Sequence, residues 1–140
     1  MILFEYSDDY ARKFGDIAEI KLSDRLFPDQ MIRGWEWVIE QIEKGYDENI
    51  YELDYDLSCY REPIEEMISD DELDTFSEHQ EFKKFISELD HKFLELTQVN
   101  PRVESLDDLK WWEKRLLKYG KEIYREHLEE EQKILVKIIE

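Results

Sequence analysis

Few residues in this chain have the types and spacing for chemistry. Glu88-Leu89-Asp90-His91 fits Glu-x-x-His, which sets a carboxylate and an imidazole one helical turn apart, as in di-iron bundles. Such a centre needs a second copy and further glutamates on facing helices, and the sequence has no second copy. The plainer reading is a solvent-facing Glu beside a partly exposed His. Asp70, Glu72, Asp74, Glu78 and Glu81 fall on positions 1, 3, 5, 9 and 12 of a calcium-loop register. Position 6, where the sharp turn demands Gly, is Thr75. Asp8-Asp9 and Asp70-Asp71 read as acids at the positive ends of helix dipoles rather than as catalytic pairs. Trp111-Trp112 divides by periodicity, with Trp112 turned to the core and Trp111 over a neighbouring helix. No glycine-rich phosphate loop, nucleophile elbow or HExxH occurs. The expectation is a protein that is not an enzyme, with no cofactor and no metal.

Charge says more. The 140 residues carry 37 acids against 19 Lys and Arg, a formal net charge of −18. Residues 36–81 hold 17 acids and only Lys44 and Arg61 as bases, so they carry −15 of that total. Residues 105–140, with nine acids and eight bases, are nearly neutral. Like charge concentrated in one segment opposes folding by self-repulsion, unless it only serves solubility. Aromatics lie among these acids: Trp37, Tyr46, Tyr51, Tyr55 and Tyr60. That mixture suits a docking surface for a basic protein, where aromatic rings anchor and carboxylates steer. The candidate partner-binding residues are Trp37, Asp47, Glu48, Asp54, Asp56, Glu62, Glu65, Glu66, Asp70, Asp71, Glu72 and Asp74. Trp37 falls off the apolar stripe of its helix and reads as an exposed anchor. Tyr60 falls on a stripe and reads as core. The cluster Lys110, Lys114, Arg115, Lys118 and Lys121 reads as an internal counterweight to the acids. A polyanion partner is disfavoured, because nucleic-acid binding draws on Lys and Arg meeting phosphates. Anionic membrane surfaces are disfavoured on the same ground.

These side chains need elements to hold them. Four Trp, eight Tyr and seven Phe against four Gly and three Pro describe a folded chain rather than a disordered one. One cysteine, Cys59, excludes an intramolecular disulfide and a cysteine zinc site and suits a reducing compartment. No apolar run reaches the ~18 residues of a membrane span, and the first residues turn acidic at once, unlike a signal peptide. A cytoplasmic location is expected. Helical periodicity dominates. It predicts helices over 8–22, from Asp29 as cap to about Lys44 with Gly45 beyond its end, and over 50–69 with a break near Arg61–Glu62 at Pro63. A helix over 77–98 follows, with Ser77 as cap of a capping box completed by Gln80. Further helices follow over 105–123, on Leu109, Trp112, Leu116, Tyr119 and Ile123, and over the last residues, on Leu128, Leu135 and Ile138 or Ile139. The fold class expected is all-α: one domain over 1–140, a bundle of five or six helices, with room for a short strand in Met1–Tyr6.

Several spread positions together resemble a known kind of protein. They are Trp37 with Glu43-Lys44-Gly45-Tyr46, Tyr55-Asp56-Leu57 with Arg61, Leu89-Asp90-x-x-Phe93-x-x-x-Thr97, and Trp111-Trp112-x-x-Arg115. Spread over most of residues 35–115, they look like the small acidic helical bacterial immunity proteins found beside secreted or contact-delivered toxins. The resemblance implies a cytosolic protein that binds one cognate toxin domain and blocks its active site, a toxin inhibitor of a toxin–antitoxin pair. It transfers no binding residue. Charge complementarity points to a basic nuclease as the toxin. The alternatives are a metal-binding helical-bundle enzyme and a generic protein-interaction subunit. The exposed aromatics also leave room for a homodimer.

Overall fold

Ser7 starts the first helix. Its hydroxyl accepts from the Tyr10 amide at 3.2 Å and donates to Glu78 at 2.6 Å, tying the start of α1 (Asp8–Leu22) to that of α5 (Ser77–Leu96). Ser23, left-handed at φ 62°, closes α1 by donating its amide to the Glu19 carbonyl. The computed structural model describes residues 4–46, 50–120 and 137–138.

α2 (Pro28–Glu43) starts on Pro28, which has no amide to leave unsatisfied. Asp29 is not its cap. The Gln30 side chain accepts from the Phe27 amide at 2.9 Å, and Asp29 instead accepts from the Tyr6 hydroxyl at 2.6 Å. Gly45 lies just past the end of α2 with φ 95°, a backbone that favours glycine. α3 (Ile50–Tyr60) and α4 (Glu62–Ile68) are parted by Arg61 alone, two residues before Pro63. A 3-10 turn over Leu73–Thr75 leads into α5. Phe76, not Ser77, is the cap residue of α5, and no side chain caps it.

The helical class holds for the described residues, but the bundle of five or six helices does not. The described residues run in four helical stretches, the third bent at Arg61. Leu109, Trp112 and Leu116 keep helical spacing, yet Asp107–Leu117 is turns, a 3-10 turn at Trp111–Lys114 and a strand. Strand β1 (Thr97–Val99) pairs antiparallel with β2 (Arg115–Leu117), Thr97 opposite Leu117 and Val99 opposite Arg115. Arg115 fixes this register by donating to the Thr97 hydroxyl at 2.7 Å and the Thr97 carbonyl at 2.8 Å. A second pair, β3 (Tyr119–Gly120) with β4 (Lys137–Ile138), is parallel. Of the helix expected over the last residues only Lys137–Ile138 is described, and it is a strand; Met1–Leu3 lie outside the described residues, and Phe4–Tyr6 is not a strand.

One apolar core joins these elements. On α2 the stripe Met31, Trp35, Val38 and Ile42 is buried, and Trp35 packs on Phe93 of α5 with centroids 5.3 Å apart. α1 brings Tyr10 and Phe14 onto α5, Phe14 edge-on to Phe82 at 5.3 Å. Each such ring buries roughly 150–250 Å², so these aromatics carry much of the driving force. Among the described residues no helix is long and apolar enough to cross a membrane.

Candidate functional site

Two polar constructions stand out: one buried, one on the surface. The buried one centres on Arg61, only 2% exposed where the third helical stretch bends. Its guanidinium donates to Asp90 twice, Nε to Oδ1 and Nη2 to Oδ2, each at 3.0 Å, and to Glu65 at 3.1 Å. Trp35 Nε1 donates to the same Asp90 Oδ1 at 3.0 Å. Trp112 covers the guanidinium, its ring centroid 4.7 Å from the central carbon, with Trp111 at 5.6 Å. Burial holds the Asp90 carboxyl above its ordinary range, against the opposing pull of the Arg61 and Trp35 bonds. Arg61, Asp90, Phe93, Thr97, Trp111, Trp112 and Arg115 of the resemblance meet at this centre and beside it, whereas its Trp37, Tyr55 and Asp56 lie elsewhere on α2 and α3. Arg61 holds Asp90, Phe93 touches Trp111 at 6.0 Å, Trp112 covers Arg61 and Arg115 holds Thr97. These seven are framework rather than a docking surface.

The surface construction lies where α2 meets α3. Trp37 is 46% exposed and its ring lies 5.7 Å from that of Tyr60, tilted by 46°. Tyr60 is not core: it is 37% exposed. The bend at Arg61 turns Arg61 inward and leaves Tyr60 on the rim. Gly34 is what admits the tyrosine ring, since a Cβ at that position would stand 2.7 Å from Tyr60 Cδ1. One turn before Tyr60, Asp56 accepts from the Tyr46 hydroxyl at 2.8 Å. Tyr55, 65% exposed, continues the aromatic surface along α3. A hydrogen bond with the exposed thiol of Cys59 raises its phenol.

The predicted docking carboxylates divide. Asp54, Glu62, Glu66 and Asp71 are exposed and make no ion pair among the described residues. Glu62 accepts only from the Ser58 hydroxyl, at 3.2 Å. Although Asp54 is exposed, its carboxyl is partly desolvated, and this desolvation, with the charge of Glu113 behind it, raises its pKa. It borders a cleft of about 320 Å³ shared with Glu62, Trp112 and Glu113. Glu65 is held by Arg61, Glu72 by Lys13 at 2.8 Å and Asp74 by Lys83. Asp70 is a correction: it is 8% exposed, accepts from the Leu73 amide at 2.9 Å and pairs with Lys21 at 3.2 Å. It closes the turn before α5 and cannot be a docking carboxylate. Asp47 and Glu48 lie outside the described residues.

The ion pairs also relocate the counterweight. Lys13 and Lys21 of α1 take Glu72 and Asp70, whereas Lys110, Lys114 and Lys118 make no ion pair among the described residues. Lys121 lies outside them.

No family model, curated protein or solved structure matches the chain.

Its chemistry therefore rests on the residues alone. Glu88 and His91 are both exposed, and among the described residues no three His, Cys, Asp or Glu side chains gather as a metal site. The acids of the calcium register are directed elsewhere: Asp70 to Leu73 and Lys21, Glu72 to Lys13, Asp74 to Lys83, Glu78 to Ser7. What the surface offers is an aromatic pair flanked by carboxylates, an arrangement that binds cations and the proteins that carry them. The position of Trp37 off its stripe signals its exposure. The seat of Tyr60 rests on Gly34, a contact between helices that no pattern within one helix contains.

Proposed function

We propose that the chain is an immunity-type protein of the cytoplasm, binding one cognate toxin domain, a basic nuclease, and blocking it without catalysis. The observation that carries the reading is the exposed Trp37–Tyr60 pair on the segment that holds −15 of the net −18 charge. A nuclease presents positive charge to hold phosphates, so a carboxylate-rich face complements it. Glu62, Glu66 and Asp71 are the steering charges, because no cation of the described chain neutralises them. Opposed fields of this kind raise association to ~10⁸–10⁹ M⁻¹s⁻¹ at low salt. The resemblance to immunity proteins supports the same reading.

The test is co-purification with a toxin domain encoded beside this chain, followed by association kinetics against salt. The triple reversal Glu62→Lys, Glu66→Lys, Asp71→Lys should slow association and flatten its salt dependence. Lys114→Glu with Lys118→Glu should leave the rate nearly unchanged. Failure to co-purify, or the opposite ranking of the two sets, would reject the reading.

A further inference from the structure

We propose that the Trp37–Tyr60 pair is a cradle for an arginine side chain of the partner, with the guanidinium stacking on the exposed ring surface of the pair. This rests on the docking reading above and names what that surface grips. The ring centroids are 5.7 Å apart and the planes are tilted by 46°, so the two rings pack on each other as one surface. Both are more than a third exposed, in a molecule that buries Trp35 and Trp112 almost fully. Gly34 keeps the floor low: any larger residue would lift the Tyr60 ring off α2.

Charge selects the occupant. In helical register, Glu40 lies one turn after Trp37 and Asp56 one turn before Tyr60. Arg33, the cation one turn before Trp37, is drawn to Asp29 at 3.8 Å. A cation over the face of Trp gains from the ring quadrupole. A planar guanidinium also stacks, which the round ammonium of lysine cannot do. The protein uses the same chemistry internally, where Arg61 lies 4.7 Å from the centroid of the Trp112 ring.

The probe is an acetylated, amidated Gly-Arg-Gly peptide, with Gly-Lys-Gly as its equal-charge control. The readout is the indole N–H resonance of Trp37, assigned by Trp37→Phe. The arginine peptide should move that resonance several-fold more than the lysine peptide, while the Trp35 and Trp112 resonances stay put. Tyr60→Ala should abolish the shift and Tyr60→Phe should keep it, because the ring and not the hydroxyl does the holding. Equal shifts from the two peptides, or a shift that survives Tyr60→Ala, would overturn the cradle. The peptide titration needs no toxin, so the two readings fail separately. If the toxin domain binds Trp37→Ala and Tyr60→Ala as tightly as the parent, the cradle falls and the docking reading stands. If the cradle is right, Trp37→Ala should weaken that complex about thirtyfold.

Discussion

Arg61 and Asp90 meet through two parallel bonds of 3.0 Å, the fork of one side chain matched to the carboxylate of the other. The pair joins the bend of the third helical stretch to α5. Trp35 of α2 bonds the same carboxylate, and Trp112 lies over the guanidinium. Four separate parts of the chain thus meet at one buried charge.

Removing one partner should therefore cost far more than an exposed ion pair would. Asp90→Asn leaves the buried Arg61 guanidinium with only the partly exposed Glu65 to oppose its charge among the described residues, and the loss should be about 3 kcal/mol. Urea unfolding followed by Trp fluorescence measures it. The double change Arg61→Met with Asp90→Leu should recover much of the loss, since no charge then stays buried. A single and a double variant equally unstable would show that the site contributes packing alone.

His79 should make stability pH-dependent. It is fully buried, its Nδ1 lies 2.8 Å from the Tyr10 hydroxyl, and its Nε2 has no hydrogen-bond partner among the described residues. Burial lowers its pKa, and the Lys83 charge adds to this. Asp74 and the Met67 and Ile68 carbonyls oppose the shift. A base whose folded pKa is depressed binds more protons unfolded than folded, so stability is whole above about pH 6.5 and falls as pH drops below it. The slope from this one group is at most about 1.4 kcal/mol per pH unit. Thermal melts between pH 7.5 and 5.5 should lose stability in the parent, and His79→Gln should lessen the fall.

Asp70 and Asp71 are neighbours with opposite roles. Burial pushes the Asp70 carboxyl up, but the Leu73 amide and Lys21 outweigh it and hold it below the ordinary range. Its contribution is therefore present above about pH 4 and lost as pH falls through the lowered value. Asp70→Ala should cost about 1–3 kcal/mol at pH 7, because the Leu73 amide loses its acceptor. Asp71→Ala should change stability by less than about 0.5 kcal/mol. Equal effects in denaturant melts would contradict the assignment.

Gly34→Ala should separate surface from fold. Alanine is the better helix former by about 1 kcal/mol, but its Cβ would displace the half-exposed Tyr60 ring. The melting temperature should change little while arginine-peptide binding is lost. A variant that keeps full binding would mean that the ring does not need its seat on α2.

The helical framework was readable from spacing. The stripe of α2 is buried as its 4, 3, 4 pattern requires, Trp37 stands outside it, and Pro63 breaks the third stretch beside Arg61. Residues 105–117 mislead because Leu109, Trp112 and Leu116 keep helical spacing while Arg115–Leu117 finds a strand partner in Thr97–Val99. That pairing is made across the chain, and tertiary context overrides local periodicity. The acidic surface was readable as a charge density, but which carboxylates stay unpaired was not readable one by one. Nothing near Asp70 in the sequence announces Lys21, which lies 3.2 Å away in space and on another helix.

The cover over Arg61 has a consequence for how the molecule is made. Trp111 and Trp112 follow Asp90 in synthesis, so a nascent chain can pair Arg61 with Asp90 before anything shields them. Without that cover the pair is more open to water, and an ion pair contributes less the more water reaches it. Arrival of the two tryptophans turns a weak solvated contact into a buried one that punishes any missing partner. Products truncated before Trp111 would leave that pair open to water.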